Sequence, residues 1–106
     1  MSVKFEPLPL EYMEAMAETL KVLAHPQRLR ILELLDVRGE CCAGEIFEAL
    51  ALDQSAGSQH MSKMRQSGIV ACRPNGTKRY FRIASEHSIT ILNCMRNKIA
   101  QEGDKR

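Results

Sequence analysis

The sequence predicts a mainly α chain with one small β-hairpin, in the order ααααββα. Apolar residues recur at helical spacing through residues 10–50 and again after 85, and Asn75-Gly76 sits between two short segments, the second of which alternates polar and apolar. Charge is also segregated. Residues 54–83 hold six basic side chains (Lys63, Arg65, Arg73, Lys78, Arg79, Arg82) and no acid, whereas residues 1–53 hold five Lys/Arg against ten Asp/Glu. The net charge of +2 thus hides a basic segment suited to phosphates, because a local basic surface releases counterions whatever distant acids do.

From Leu10 to Ala24, the positions Met13, Met16, Ala17, Leu20, Leu23 and Ala24 form an amphipathic stripe, with Glu11, Glu14, Glu18 and Lys21 off it. His25-Pro26 interrupts the pattern, and Pro26 suits the first turn of a second helix. The near-continuous Leu29, Ile31, Leu32, Leu34 and Leu35 predict that this helix is central and buried. A short third helix runs from Cys42 or Ala43 to Leu50, burying Ile46, Ala49 and Leu50 and exposing Glu45 and Glu48. After the connection Ala51–Asp53, Asp53 caps a fourth helix that ends near Gln66, before Ser67-Gly68. Ile69–Arg73 and Lys78–Ile83 read as strands joined by the turn Pro74-Asn75-Gly76-Thr77. Helical period returns from Ser85 through Ile89, Leu92, Met95 or Arg96, and Ile99. Residues 1–9 are then an N-terminal arm, 10–100 the folded domain, and 101–106 a polar tail that frays.

At 106 residues, 12.0 kDa and 44% hydrophobic content, the chain can bury one modest core with little surplus stability, so pairing with a second copy would help. No basic leader precedes an apolar run, and no stretch approaches the roughly 18–20 apolar residues that cross a bilayer. A cytoplasmic protein with no membrane partner is expected. Cys41 and Cys42 are adjacent while Cys72 and Cys94 stand alone, which is neither a disulfide framework nor a paired CxxC zinc site. The sequence has no GxSxG, HExxH or phosphate-cradling glycine loop, so no enzyme is expected.

Two short helices joined by a tight turn and followed by a basic hairpin have the order of a winged helix-turn-helix. HPQRLRILELL, AGEIFEALALDQSAGSQHMSKMRQSGIV and the hairpin RPNGTKRYFRI resemble the ArsR/SmtB-type bacterial transcriptional repressors over about residues 13–100. The resemblance implies a homodimer built from the first and last helices, a palindromic duplex operator, DNA binding without a cofactor, and release of DNA when an effector is sensed. Two residues depart from the pattern. Gly57 stands where a larger apolar residue is usual, which predicts a loosely held recognition helix, and Asp53 replaces the commoner serine cap.

In the fourth helix, Gln54, Ser55, Ser58, Gln59 and His60 gather hydrogen-bonding side chains in the first two turns, the part that would enter a major groove. Lys63 and Arg65 suit phosphates. In the hairpin, Arg73, Lys78 and Arg79 are candidates for backbone or minor-groove contact. Tyr80 and Phe81 suggest base stacking only weakly, because strand alternation turns one of them into the core. The competing readings are a merely solvated polar helix face and a protein-interaction module; a steep salt dependence would separate DNA from protein as the partner.

Cys42 falls at the N-cap of the third helix. Helix N-termini favour thiolate, the form that binds metals and reacts with oxidants. In metal-sensing proteins that this chain resembles, a CxC pair here binds arsenite, cadmium or lead. The matching stretch is Cys42-Ala43-Gly44, so only Cys42 carries over and Cys41 lies one residue early. As(III) or another thiophilic ion at Cys41, Cys42 and, as third ligand, Cys94 is the expected effector chemistry. Its rivals are thiol oxidation resolved by Cys94 or Cys72, and a structural role in which one thiol packs and the other caps. The family's second metal site, on the last helix, is expected to be absent, since Ser85, His87, Lys98 and Gln101 occupy its positions.

Overall fold

Local signals start most of the helices. In the computed structural model, which describes residues 3–103, α1 (Leu10–Leu23) and α2 (Pro26–Arg38) are followed by β1 (Cys41–Cys42), α3 (Ala43–Ala49), α4 (Gln54–Gln66), β2 (Val70–Asn75), β3 (Lys78–Ile83) and α5 (Glu86–Gly103). His25 caps α2 by accepting the Gln27 N–H on Nδ1 at 3.2 Å, and Pro26 opens the helix. Asp53 Oδ1 accepts the Ala56 N–H at 2.8 Å and caps α4. Cys42 is the N-cap residue of α3, and its own N–H donates to Glu45 Oε1 at 3.2 Å.

The core gathers around α2, whose Ile31, Leu32 and Leu35 are fully buried against Leu23, Ile46, Met64 and Ile69. In α3, Phe47 is buried in place of the expected Ala49, which is exposed. A seven-residue helix, just under two turns, offers too few positions for its inner face to be read from periodicity.

The expected hairpin becomes a three-stranded antiparallel sheet in the order β1-β3-β2. Cys41 pairs with Phe81 and Cys42 with Tyr80, a two-residue strand too short to leave a periodic signal. The hairpin is also tighter than expected. Pro74 pairs with Arg79 and Asn75 with Lys78, leaving Gly76-Thr77 as the turn, with Gly76 at φ +66°. Pro74 is tolerated because β2 is an edge strand.

The α1 stripe faces elsewhere than expected. Thr19, Val22 and Leu23 are buried, while Met13 and Leu20 are about half exposed at 52% and 48%. Helical spacing marks an apolar face without saying whether it meets the protomer's own core. On α5, Leu92 is buried but Met95 and Ile99 are exposed, and the helix continues to Gly103 where fraying was expected from Gln101. Residues 104–106 of that tail lie outside the described residues. No helix among the described residues is long and apolar enough to cross a membrane.

Candidate nucleic-acid interface

Packing of Met61 and Met64 into the core orients α4 and leaves Gln54, Ser55, Ser58, Gln59, Lys63 and Arg65 exposed on its outer side. Phe81 of β3 packs inward, which turns Arg82 to the opposite, outer face, while Arg79 lies on the Phe81 face nearer the hairpin tip, exposed beside α4. Between helix and hairpin lies a cleft of about 280 Å³ lined by Gln54, Ser58, Ser62, Arg65 and Arg79. A second hollow, along α4, is shared by Ser58, Gln59, Ser62, Lys63 and Gln66. Ser62 and Gln66 were not among the expected contacts. Their signal was present, since Ser62 follows Ser58 by four residues and Gln66 follows Ser62 by four, continuing the same helix face.

Two expected contacts are occupied otherwise. His60 is buried, and both its ring nitrogens are engaged: Nδ1 accepts from Arg28 Nε at 3.1 Å, and Nε2 lies 2.7 Å from Gln27 Oε1. Its ring meets His25 edge-on at 4.5 Å between centroids. Arg28 Nη1 also donates to the Val22 carbonyl at 3.0 Å, so one cluster ties α4 to the α1–α2 junction. Burial, then the nearby His25 and Arg28, hold the His60 imidazole below its ordinary pKa. This histidine positions the helix and has no free nitrogen for a base edge.

Arg73 is the other correction. Its guanidinium makes a forked ion pair with Glu40, with Nε 2.9 and 3.0 Å from the two carboxylate oxygens and Nη2 2.6 Å from Oε1, and it lies 5.1 Å from the Tyr80 ring centroid. Hydrogen bonding to Arg73 holds the Glu40 carboxyl below its usual range. The pair largely cancels the charge that would have met a phosphate. Lys78 and Arg79 remain exposed without a salt bridge among the described residues.

The cysteines do not converge. Cys41 is 2% exposed in the core, and burial, followed by the Glu45 carboxylate, pushes its thiol pKa up. Cys42 is also buried, with Glu45 beside it; the Cys42 side chain is the main cause of the lowered Glu45 pKa. Cys41 and Cys72 both pair with Phe81 from opposite sides, which separates them by two strand spacings, roughly 9.5 Å, too far for a disulfide. Cys94 is exposed on α5. Among the described residues, no three His, Cys, Asp or Glu side chains are grouped as a metal ion would need.

A model of the arsR family of bacterial regulatory proteins matches residues 25–71. The uncharacterized HTH-type transcriptional regulator Rv0081 of Mycobacterium tuberculosis is 37% identical over 86 residues, 80% of this chain and 75% of that protein. The arsenical resistance operon repressor of Staphylococcus xylosus is 39% identical over 67 residues, 63% of this chain and 64% of that protein. In structure, the homodimeric winged helix-turn-helix DNA-binding domain Mb0332 of Mycobacterium bovis matches with a TM-score of 0.69 at 27% identity, covering 95% of this chain and 92% of that one. Fold, basic face and relatives define a winged helix-turn-helix DNA-binding transcription regulator, not an enzyme. The chain belongs to the arsR family of bacterial regulatory proteins.

Proposed function

We propose that this chain is a homodimeric repressor that holds duplex operator DNA through α4 and the hairpin and releases it when a thiophilic ion, such as As(III), acts at its cysteines. The DNA reading is carried by the cleft that sets Gln54, Ser58 and Arg65 beside Arg79, which joins base-reading and phosphate-holding side chains on one face. Gln54, Ser55, Ser58 and Gln59 address base edges, and Lys63, Arg65, Lys78 and Arg79 hold the backbone. The dimer reading is supported by the exposed Met13 and Leu20 of α1 and the exposed Met95 and Ile99 of α5, and by the homodimeric Mb0332. No cofactor is required for DNA binding.

The effector reading rests on Cys42 at the start of α3 and on likeness to the arsenical operon repressor. A three-sulfur site requires Cys41 to leave the core and Cys94 to approach. The scatter of the sulfurs favours a second reading, oxidation of a single thiol, which needs no ligand set and for which Cys94 is exposed. Fluorescence anisotropy of reduced protein on its upstream promoter DNA, titrated with As(III), Cd(II) and separately a persulfide donor, tests both. Release by As(III) that disappears in Cys41→Ser/Cys42→Ser supports the metalloid reading. Release by the persulfide donor, lost in Cys94→Ser and reversed by a phosphine reductant, supports oxidation. Binding unmoved by every addition sinks both effector readings and leaves the DNA reading standing.

A further inference from the structure

The arm before α1 is unusually apolar for an exposed segment: Val3 is 93%, Phe5 84% and Leu8 61% exposed, and Leu10, which opens α1, is 72% exposed. On the same protomer, the first half of α2 and α5 from its middle onward enclose an open groove of about 610 Å³, floored by Leu29, Leu92, Met95 and Ile99, with Arg30, Glu33 and Arg96 as its charged neighbours. Two unsatisfied apolar surfaces on one small chain call for a common explanation.

The arm is badly placed to fill its own groove. Tyr12 meets His87 edge-on at 5.5 Å between ring centroids, which puts the start of α1 beside the start of α5. Pro26, just past the end of α1, lines the groove together with Arg96 and Ala100 near the end of α5. The two helices therefore run in the same direction, and the arm leaves from the end opposite the groove. A 14-residue helix is about 21 Å long, so the arm would have to reverse and retrace the whole of α1. Pro9, just before α1, is extended at φ −56° and ψ 135° rather than helical.

A second copy removes the difficulty. In a closed two-fold pairing through the exposed faces of α1 and α5, an axis crossing the helices turns the partner's helices end for end, which also opposes their dipoles. The partner's arm then begins beside the groove of this protomer, and the reverse holds across the axis. Phenylalanine is large enough to enter the groove, whose arginines are already paired on their own chain, Arg30 with Glu33 and Arg96 with Asp36, so the apolar ring supplies the contact. We propose that the two protomers exchange N-terminal arms, with Phe5 of each chain seated in the α2–α5 groove of the other.

This inference rests on the homodimer reading, and its test separates the two. Protein with ¹³C-labelled Leu, Ile and Met methyls is mixed with unlabelled full-length chain, and isotope-filtered NOEs are recorded while sedimentation gives the mass. Contacts from the Phe5 ring of one chain to the Met95 and Ile99 methyls of the other are expected. Phe5→Ala should abolish them and raise the dimer dissociation constant about tenfold or more, as loss of a buried aromatic anchor does. A dimeric mass without interchain Phe5 contacts overturns arm exchange and spares the dimer. Phe5 contacts confined to one chain overturn it in favour of an arm folded back on itself. A monomeric mass throughout overturns both.

Discussion

The ring of Phe47 occupies the space that a Cβ on Gly57 would need: its Cε1, Cδ1 and Cζ atoms lie 2.5, 2.7 and 2.8 Å from that position. The glycine that suggested a loosely held recognition helix is instead the site where α3 docks on α4. The same contact explains why Phe47, and not Ala49, joins Ile46 on the inner face of α3.

Gly57→Ala is therefore expected to destabilise the fold by about 1–3 kcal/mol through overpacking, although alanine in a free helix gains about 1 kcal/mol over glycine. Urea denaturation of Gly57→Ala, alone and with Phe47→Leu, checks this. Recovery in the double variant is the expected result, and a Gly57→Ala chain more stable than the parent would contradict the packing.

Stability should fall on acidification through the Arg28–His60–Gln27 cluster. His60 accepts from Arg28 and is held neutral below its ordinary value of 6.5, so the unfolded chain takes up this proton first as pH drops. The stabilisation is complete above that ordinary value and is lost as pH falls from it toward the lower folded value. Urea midpoints at pH 7.5 and 5.5 should differ more for the parent than for His60→Gln, which has no proton to gain.

Arg79→Ala should reduce the log–log salt slope of DNA affinity by about 0.9 if one phosphate contact is lost. Arg73→Ala should change it less, because Glu40 already balances that charge. Glu40→Gln should free Arg73 and tighten binding to DNA of any sequence. Anisotropy across a salt series measures all three, and equal slopes for Arg73→Ala and Arg79→Ala would refute the distinction.

Gln59→Ala and Lys63→Ala should fail differently. Loss of a base contact lowers discrimination between operator and random duplex by about 1–3 kcal/mol, whereas loss of a phosphate contact weakens both alike. Competition binding with the two DNAs separates these patterns.

Helix order, the buried α2 and the Asp53 cap were legible in the sequence because they depend on spacing and on groups within a few residues. The basic hairpin was legible for the same reason. Long-range relations were not. That Gly57 answers Phe47, that Glu40 takes Arg73 and that His60 turns to Arg28 each join residues 10 to 33 positions apart with no periodic trace. β1 was invisible because two residues hold no alternation. The α1 stripe was visible, but the surface it faces is not written in one chain.

The register Cys41↔Phe81 closes the sheet between residues forty positions apart. Closing a loop of that length is slow compared with local helix formation, so the strand pairing that holds Cys41 in the core belongs to the late part of folding. The thiol is reached again only when that ladder opens. The rate at which a thiol-modifying reagent reaches Cys41 in the native protein thus serves as a clock for opening of the core, read at a single native atom without an introduced probe.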